Sequence, residues 1–427
     1  MTAEIAVFNK SAVALAADSA VTISGGGNQK IYNGAEKLFA LTKHHPVGVM
    51  VYGSGDLCAA PWELVIKAYR KKLGNSHFPN LEGYVEDFFK FLEDSTNIVT
   101  RGMREGHLYQ FLSEGVFTPL LEAFAIQKPD NYWNPLDHRL FFKDLEEFCN
   151  ELLERLSNTE FLENFSGDDM DDAREYCKDV TIRIVAEKLG SIPPEEIPDS
   201  FIRSICNMFA AMICKVSDIG NITGIVFAGY GEDDYYPKVL SFDVCGYFNN
   251  KIRRIKNEQK CSAYGESGVT PFAQDEEVGA FMQGVSSTLI GELHKEYQGS
   301  ISNLLDGVDE VVTRMIPNDK IEEARDAIVN LVQGTVAECD RRISDFVQEN
   351  YVRKVVNMIK FLPKQDLAYM AESLVNLTAF KRKVSDDSET VGGPIDVAVI
   401  SKADGFIWVK RKHYFTQELN HHYFSRS

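Results

Sequence analysis

The chain has 427 residues, with 45 Lys and Arg against 63 Asp and Glu, and a formal net charge of −18. A hydrophobic content of 44% and a charged content of 25% exclude wholesale disorder and predict a folded globular protein of two to three domains, or one domain with large insertions. The acidic balance argues against sequence-independent nucleic-acid binding, which needs a basic footprint, and no apolar run reaches the ~18 residues of a membrane-spanning helix.

No basic leader with an apolar run and a small-residue cleavage site opens the chain, so a cytoplasmic location is expected. The eight cysteines are scattered and form no C-x-x-C pair, which predicts reduced and mostly buried thiols rather than disulfides or zinc ligands. His44-His45 and His421-His422 are adjacent pairs whose side chains do not share a face, and no H-E-x-x-H occurs. No metal or other cofactor is expected. Asp168–Asp172 lacks the spacing of a calcium loop and reads as a solvated helix start; Ser24–Asn28 lacks the G-K-[ST] ending of a phosphate loop.

In chain order, Ala3–Phe8 and Ala12–Asp18 read as strands around a polar turn, followed by a flexible tip at Ser24–Asn28. Lys37–Thr42 and Val47–Tyr52 read as a second strand pair, and Asp56–Lys72 as a helix. Glu82–Leu92, Thr118–Gln127, Phe141–Leu156, Asp171–Leu189 and Phe201–Lys215 read as helices. Residues 75–201 hold 27 acidic and 11 basic residues, so nearly all of the net charge sits there. Strands return at Thr223–Ala228, Lys238–Val244 and Tyr247–Ile255. A turn at Tyr264–Gly268 precedes a long helical region over Gln274–Phe361, then a helix at Gln365–Lys383 and strands at Ile395–Ser401 and Phe406–Lys410. Strands and helices are segregated, and hairpins dominate, which predicts an antiparallel α+β fold.

Thr2 leads directly into the first strand, the second ends in Leu15-Ala16-Ala17-Asp18-Ser19, Lys37 opens the third, and the fourth ends in Tyr52-Gly53-Ser54-Gly55. This arrangement resembles the proteasome β-subunit family and its bacterial proteasome-like relative, both N-terminal-nucleophile (Ntn) hydrolases. The Thr2-to-Asp18 spacing equals the family's, and Lys37 falls a few residues later than is usual there. Ile225–Tyr230 looks like the family's central strand and turn, Tyr264–Gly268 like its Gly/Ser turn before the third helix, and Val391–Val397 like the glycine pair before its last strands.

The chemistry accounts for the residue types. A threonine hydroxyl needs a base, and removal of Met1 would put an α-amine, with a pKa of about 7.7–8.0, on the nucleophile's own residue. The resemblance implies that Lys37 favours the neutral amine, that Asp18 orients Lys37, and that backbone N–H groups at Gly53 form the oxyanion hole. Of the family's supporting residues, Glu266 or Ser267 takes the serine position after Gly265. The resemblance implies an acid among Asp386, Asp387 and Glu389, with Ser267 and Asp387 preferred, and puts Val391 where the family has a second serine.

The implied fold is a four-layer α-β-β-α Ntn-hydrolase sandwich with two large helical insertions. Its core spans residues 1–74, 202–275 and 361–410; the insertions are an acidic one at 75–201 and a second at 276–360, and 411–427 is a tail. The implied function is a cytosolic threonine peptidase acting on peptide or unfolded protein, homo-oligomeric, with any ATPase or regulator a separate protein. A non-peptide Ntn amidohydrolase and a noncatalytic scaffold or interaction protein are the alternatives. The aromatic end, Tyr414–Phe424, is expected either to dock on a neighbour or to pack as an ordinary terminus.

Overall fold

The computed structural model describes residues 3–25, 28–133, 138–190, 192–217, 219, 222–315, 317, 320–385, 391–420 and 422. It is mixed α+β, and chain contacts divide it into two compact units. The first comprises Met1–Gly34, Tyr264–Val399 and Trp408–Ser427; the second comprises Ala35–Ala263 and Ile400–Ile407. Residues 75–201 therefore fall wholly in the second unit and 276–360 wholly in the first.

The chain opens with β1 (Glu4–Phe8), β2 (Ala12–Ala17) and the hairpin β3 (Ala20–Gly25) and β4 (Asn28–Asn33). That hairpin occupies the stretch expected as a flexible tip, whose Gly26 and Gly27 lie outside the described residues. Next come β5 (Leu38–Ala40), β6 (Val47–Tyr52), β7 (Asp56–Leu57), β8 (Ala60–Pro61) and α1 (Trp62–Leu73). The helix expected from Asp56 thus starts at Trp62. Asp56–Pro61 closes a small hairpin instead, with Cys58 (φ 49°) and Ala59 (φ 68°) left-handed at its tip, and Pro61 stands at the helix N-cap.

The helical middle holds α2 (Leu81–Asp94), α3 (Arg101–Gln110), a π-helix at Phe111–Phe117, α4 (Thr118–Gln127), α5 (Pro129–Trp133), α6 (His138–Ser157), α7 (Gly167–Lys188) and α8 (Asp199–Cys214). Three strands follow, β9 (Thr223–Gly229), β10 (Lys238–Phe248) and β11 (Lys251–Lys256), then β12 (Gly268–Pro271). The helical region beyond divides into α9 (Glu276–Gln283), α10 (Ser287–Met315), α11 (Ile321–Val347) and α12 (Arg353–Ile359), and α13 (Lys364–Val384), β13 (Asp396–Ser401) and β14 (Gly405–Lys410) complete the chain.

The first unit is built on a sheet of order β12-β1-β2-β13-β14. β1 pairs antiparallel with both β2 and β12. Ala12, Ala14 and Ala16 alternate along one face of β2, and their small side chains let α13 lie close over the strand through Leu367, Ala371, Leu374 and Val375.

The second unit is built on an antiparallel sheet of order β11-β10-β9-β6-β5. α1 and α2 share one core with it: Trp62, Ile66, Tyr69, Phe88 and Phe89 pack with Val49, Ile225, Phe227 and Phe242. α2 therefore belongs to the sheet's helical layer, although residue 75 was expected to begin an insertion. A separate core joins the π-helix, α4, α6, α7 and α8, so α8, expected in the sheet core, sides with the bundle.

β10 runs to Phe248 rather than yielding to a new strand at Tyr247. Its register shifts between Val244 and Tyr247, where Gly246 (φ 93°) forms a bulge, and Asn249 (φ 52°) makes the turn. Arg253 on β11 uses the bulge. The residue is 3% exposed, and its guanidinium donates to Cys245 O (3.0 Å) and to Met212 O and Ile213 O (both 2.8 Å) in the last turn of α8. It also lies 4.5 Å from the Phe111 ring centre. A cation at a helix C-terminus opposes the negative end of the helix dipole. Arg253→Ala leaves three carbonyls without their donor and opens a cavity, so a loss of about 3–5 kcal/mol is expected in urea unfolding. Arg253→Lys is expected to recover part of it.

The same bulge faces His107 of α3. A Cβ on Gly246 would stand 2.7 Å from His107 Nδ1, a buried atom with no hydrogen-bond partner among the described residues. Burial, and secondarily the Arg253 charge, hold the His107 pKa below its ordinary value. The folded state therefore favours neutral His107, and the unfolded chain takes up the proton first. The associated stability is present above the unfolded pKa of about 6.5 and is lost as pH falls through the folded value. Unfolding midpoints across that range are expected to fall more steeply with acid in the wild type than in His107→Asn.

Candidate functional site

The described site begins at Asp18, at the end of β2. Its side chain is 0% exposed. Ala3 N donates to Oδ1 (3.2 Å); Ala20 N (3.2 Å) and Gly392 N (2.9 Å) donate to Oδ2. Asp18 N in turn donates to Ala3 O at 3.1 Å. Two hydrogen bonds thus fix the residue that follows Thr2. The antiparallel register puts them there: Glu4 pairs with Ala17, so the next residues outward are Ala3 and Asp18.

Three backbone N–H groups on one carboxyl side chain define a closed polar centre inside an apolar sheet, which is the condition for burying such a group. The Gly392-Gly393 turn is held beside it. Ser19 N donates to Gly392 O (3.1 Å), and Ser19 Oγ donates to Pro394 O. Gly393 is left-handed (φ 77°), and a Cβ there would stand 2.9 Å from Asn33 Cβ, so glycine is required.

The other expected site residues are distributed as follows. Thr2 and Asp387, with Asp386 and Glu389, lie outside the described residues. Lys37 is in the second unit, immediately before β5, is 5% exposed, and its carbonyl accepts from Val51 N at 2.9 Å. Gly53 follows β6 in the same unit, left-handed at φ 79°, and a Cβ there would stand 2.7 Å from Ile222 O.

A network that sequence reasoning did not anticipate holds the Gly53 turn. Trp62 Nε1 donates to Thr223 Oγ1 (2.9 Å), and Thr223 Oγ1 donates to Ser54 O (2.9 Å). Trp62 N donates to Gly55 O (3.1 Å). The β7–β8 hairpin intervenes in the chain between Gly53 and α1, yet the Trp62 N–H on Gly55 O keeps the start of the helix beside the turn.

Ser267 is also placed differently. It precedes Gly268, which pairs with Phe8, so it stands at the far end of β1 from Ala3. The residues opposite the Ala3 end are Pro271 and Phe272, whose N–H donates to Glu4 O at 2.9 Å. Val391 is buried at 5% exposure and joins the apolar core of the first unit.

Seven of the eight thiols are held protonated by burial and are poor competing nucleophiles. Burial pushes Cys58 and Cys149 up to about 12, and raises Cys177, Cys206, Cys214, Cys245 and Cys261 as well. Among the described residues no group of three or more His, Cys, Asp or Glu side chains is arranged to hold a metal ion, and no helix is long and apolar enough to cross a membrane. No protein-family model matches the chain, and no curated protein matches it.

Proposed function

We propose that the chain is an N-terminal-nucleophile hydrolase of the proteasome-like kind, a four-layer α-β-β-α sandwich in which Thr2, exposed by removal of Met1, attacks peptide bonds. The observation that carries this reading is the buried Asp18 carboxyl, which receives the N–H of Ala3 and of Gly392. A polar group is buried in a sheet only with full compensation, and this one is spent on fixing the backbone beside residue 2.

In the proposed reaction the neutral α-amine of Thr2 takes the proton from its own Oγ, and Oγ adds to the substrate carbonyl. The tetrahedral oxyanion is received by N–H groups of the Gly53 turn. Collapse passes the proton to the leaving amine and leaves an ester on Thr2, which water then hydrolyses. Lys37 serves in this reading as the cation that favours the neutral amine, with Asp18 its counter-charge. Substrates are peptides or unfolded protein, and the working form is a cytosolic homo-oligomer served by a separate ATPase or regulator.

A noncatalytic scaffold is the second reading, favoured by the buried valine at position 391 in place of a serine. Turnover of peptides carrying a fluorescent leaving group separates the two. Turnover by the Met-less chain, absent from chain that retains Met1, is expected. A folded, Met-less chain inert toward a broad peptide panel would instead support the scaffold.

A further inference from the structure

The helices α10 and α11 form a pair within the first unit that is poorly covered. Of all the side chains on α10 only Val312 is buried, and none on α11 is. Ile301, Leu305, Val308 and Val312 of α10 face Ile328, Val332 and Val336 of α11 across two hollows of about 410 and 400 Å³.

A second apolar face of α10 meets nothing among the described residues that buries it. Leu289, Leu293, Leu304, Val311 and Met315 are 52%, 61%, 63%, 51% and 78% exposed. At 100° per residue they fall within about 80° of arc, a continuous stripe roughly 40 Å long. Single exposed leucines need no explanation, but a contiguous stripe of this kind reaches the ~300–600 Å² range in which patches mark interaction sites.

Charge selects the occupant. The border of the stripe away from α11 carries Glu292, Glu296 and Glu310 against Arg314, and Glu296 and Glu310 hold no ion pair among the described residues. Across Ser287–Val347 there are 12 acidic and 6 basic residues. A second copy would bring the same negative charge against this border, and like charges across an interface disfavour the pairing. A helix with an apolar face bordered by Lys or Arg would satisfy both features.

We propose that the outer face of α10 is a docking surface for a basic amphipathic helix of a partner protein. The leucine stripe provides the seam, and Glu296 and Glu310 fix the charge of the occupant. This inference does not depend on the role of Thr2.

The test titrates the full chain with two synthetic amphipathic helical peptides of about seven turns, each with a leucine face, one bordered by Lys and the other by Glu. The Lys-bordered peptide is expected to bind at least about tenfold more tightly, and to weaken as salt is raised. Leu293→Asp/Leu304→Asp should abolish its binding while circular dichroism stays unchanged, since both side chains are exposed. Glu296→Lys/Glu310→Lys should reverse the preference toward the Glu-bordered peptide. Equal binding of both peptides, or binding unaffected by the stripe variants, would overturn the proposal. So would a self-associated chain that Leu293→Asp/Leu304→Asp converts to monomer, since the occupant would then be a second copy.

Discussion

Asp18→Ala is expected to destabilise the first unit by about 3 kcal/mol or more, because each buried N–H left without its acceptor costs about 1–3 kcal/mol. Three such groups are stranded, at Ala3, Ala20 and Gly392, in a pocket with no exposed surface. Asp18→Asn keeps one oxygen but turns an NH₂ toward donors that need an acceptor, so it is expected to recover only part of the loss. Calorimetric or urea unfolding measures both. A loss below about 1 kcal/mol for Asp18→Ala would mean that the three hydrogen bonds do not hold the strand start. Amide exchange gives the spatial signature: protection at Ala3 and Gly392 should fall first, although 374 positions separate Asp18 from Gly392 in the chain.

Thr2→Ala is expected to remove peptide hydrolysis by at least about 10³-fold, since no residual nucleophile accompanies the α-amine. Its unfolding midpoint, measured alongside, separates loss of the nucleophile from loss of the fold. Thr2→Ser keeps both Oγ and amine and is expected to retain measurable turnover. Activity that survives Thr2→Ala would relocate the chemistry elsewhere in the chain. A proportional loss of stability and turnover would show that the variant had merely unfolded.

Much of the strand framework is legible in the sequence because its signals are local. β1, β2, β6 and β9 are nearly continuous apolar runs bounded by turns, and all of their residues are buried. β12 is not legible. Gly268 closes the expected turn and Val269–Pro271 carry no strand pattern of their own; pairing with β1 makes them a strand. α3 lacks an apolar stripe because its buried side chains are only Arg104 and Leu108. Arg104 is buried by donating to Leu92 O and Val99 O and lying over the Tyr247 ring, a tertiary arrangement with no sequence periodicity. The start of α1 is not legible, because Cys58 and Ala59 adopt left-handed backbone conformations that neither residue advertises.

The site divides in the same way. Asp18 is legible at the end of an apolar strand, and the glycine turn at Gly53 is legible from composition. The contact from Gly392 to Asp18 is not, since only the tertiary fold brings that turn to β2. Ser267 fails as a neighbour of the chain start for a related reason. The sequence offers Glu266 or Ser267 after Gly265, but the antiparallel register sends Ser267 to the Phe8 end of β1. The Thr223–Trp62 network has no motif at all, although it holds the Gly53 turn by three hydrogen bonds.

The central claim is that residue 2 carries both nucleophile and base, and the most direct measurement is intact mass before and after treatment with a peptide epoxyketone, a probe that needs the free amine and Oγ together. The account predicts a chain lacking Met1, a single adduct mapped to Thr2, and no adduct in Thr2→Ala. A folded, Met-less chain that stays unlabelled and turns over no peptide would contradict it.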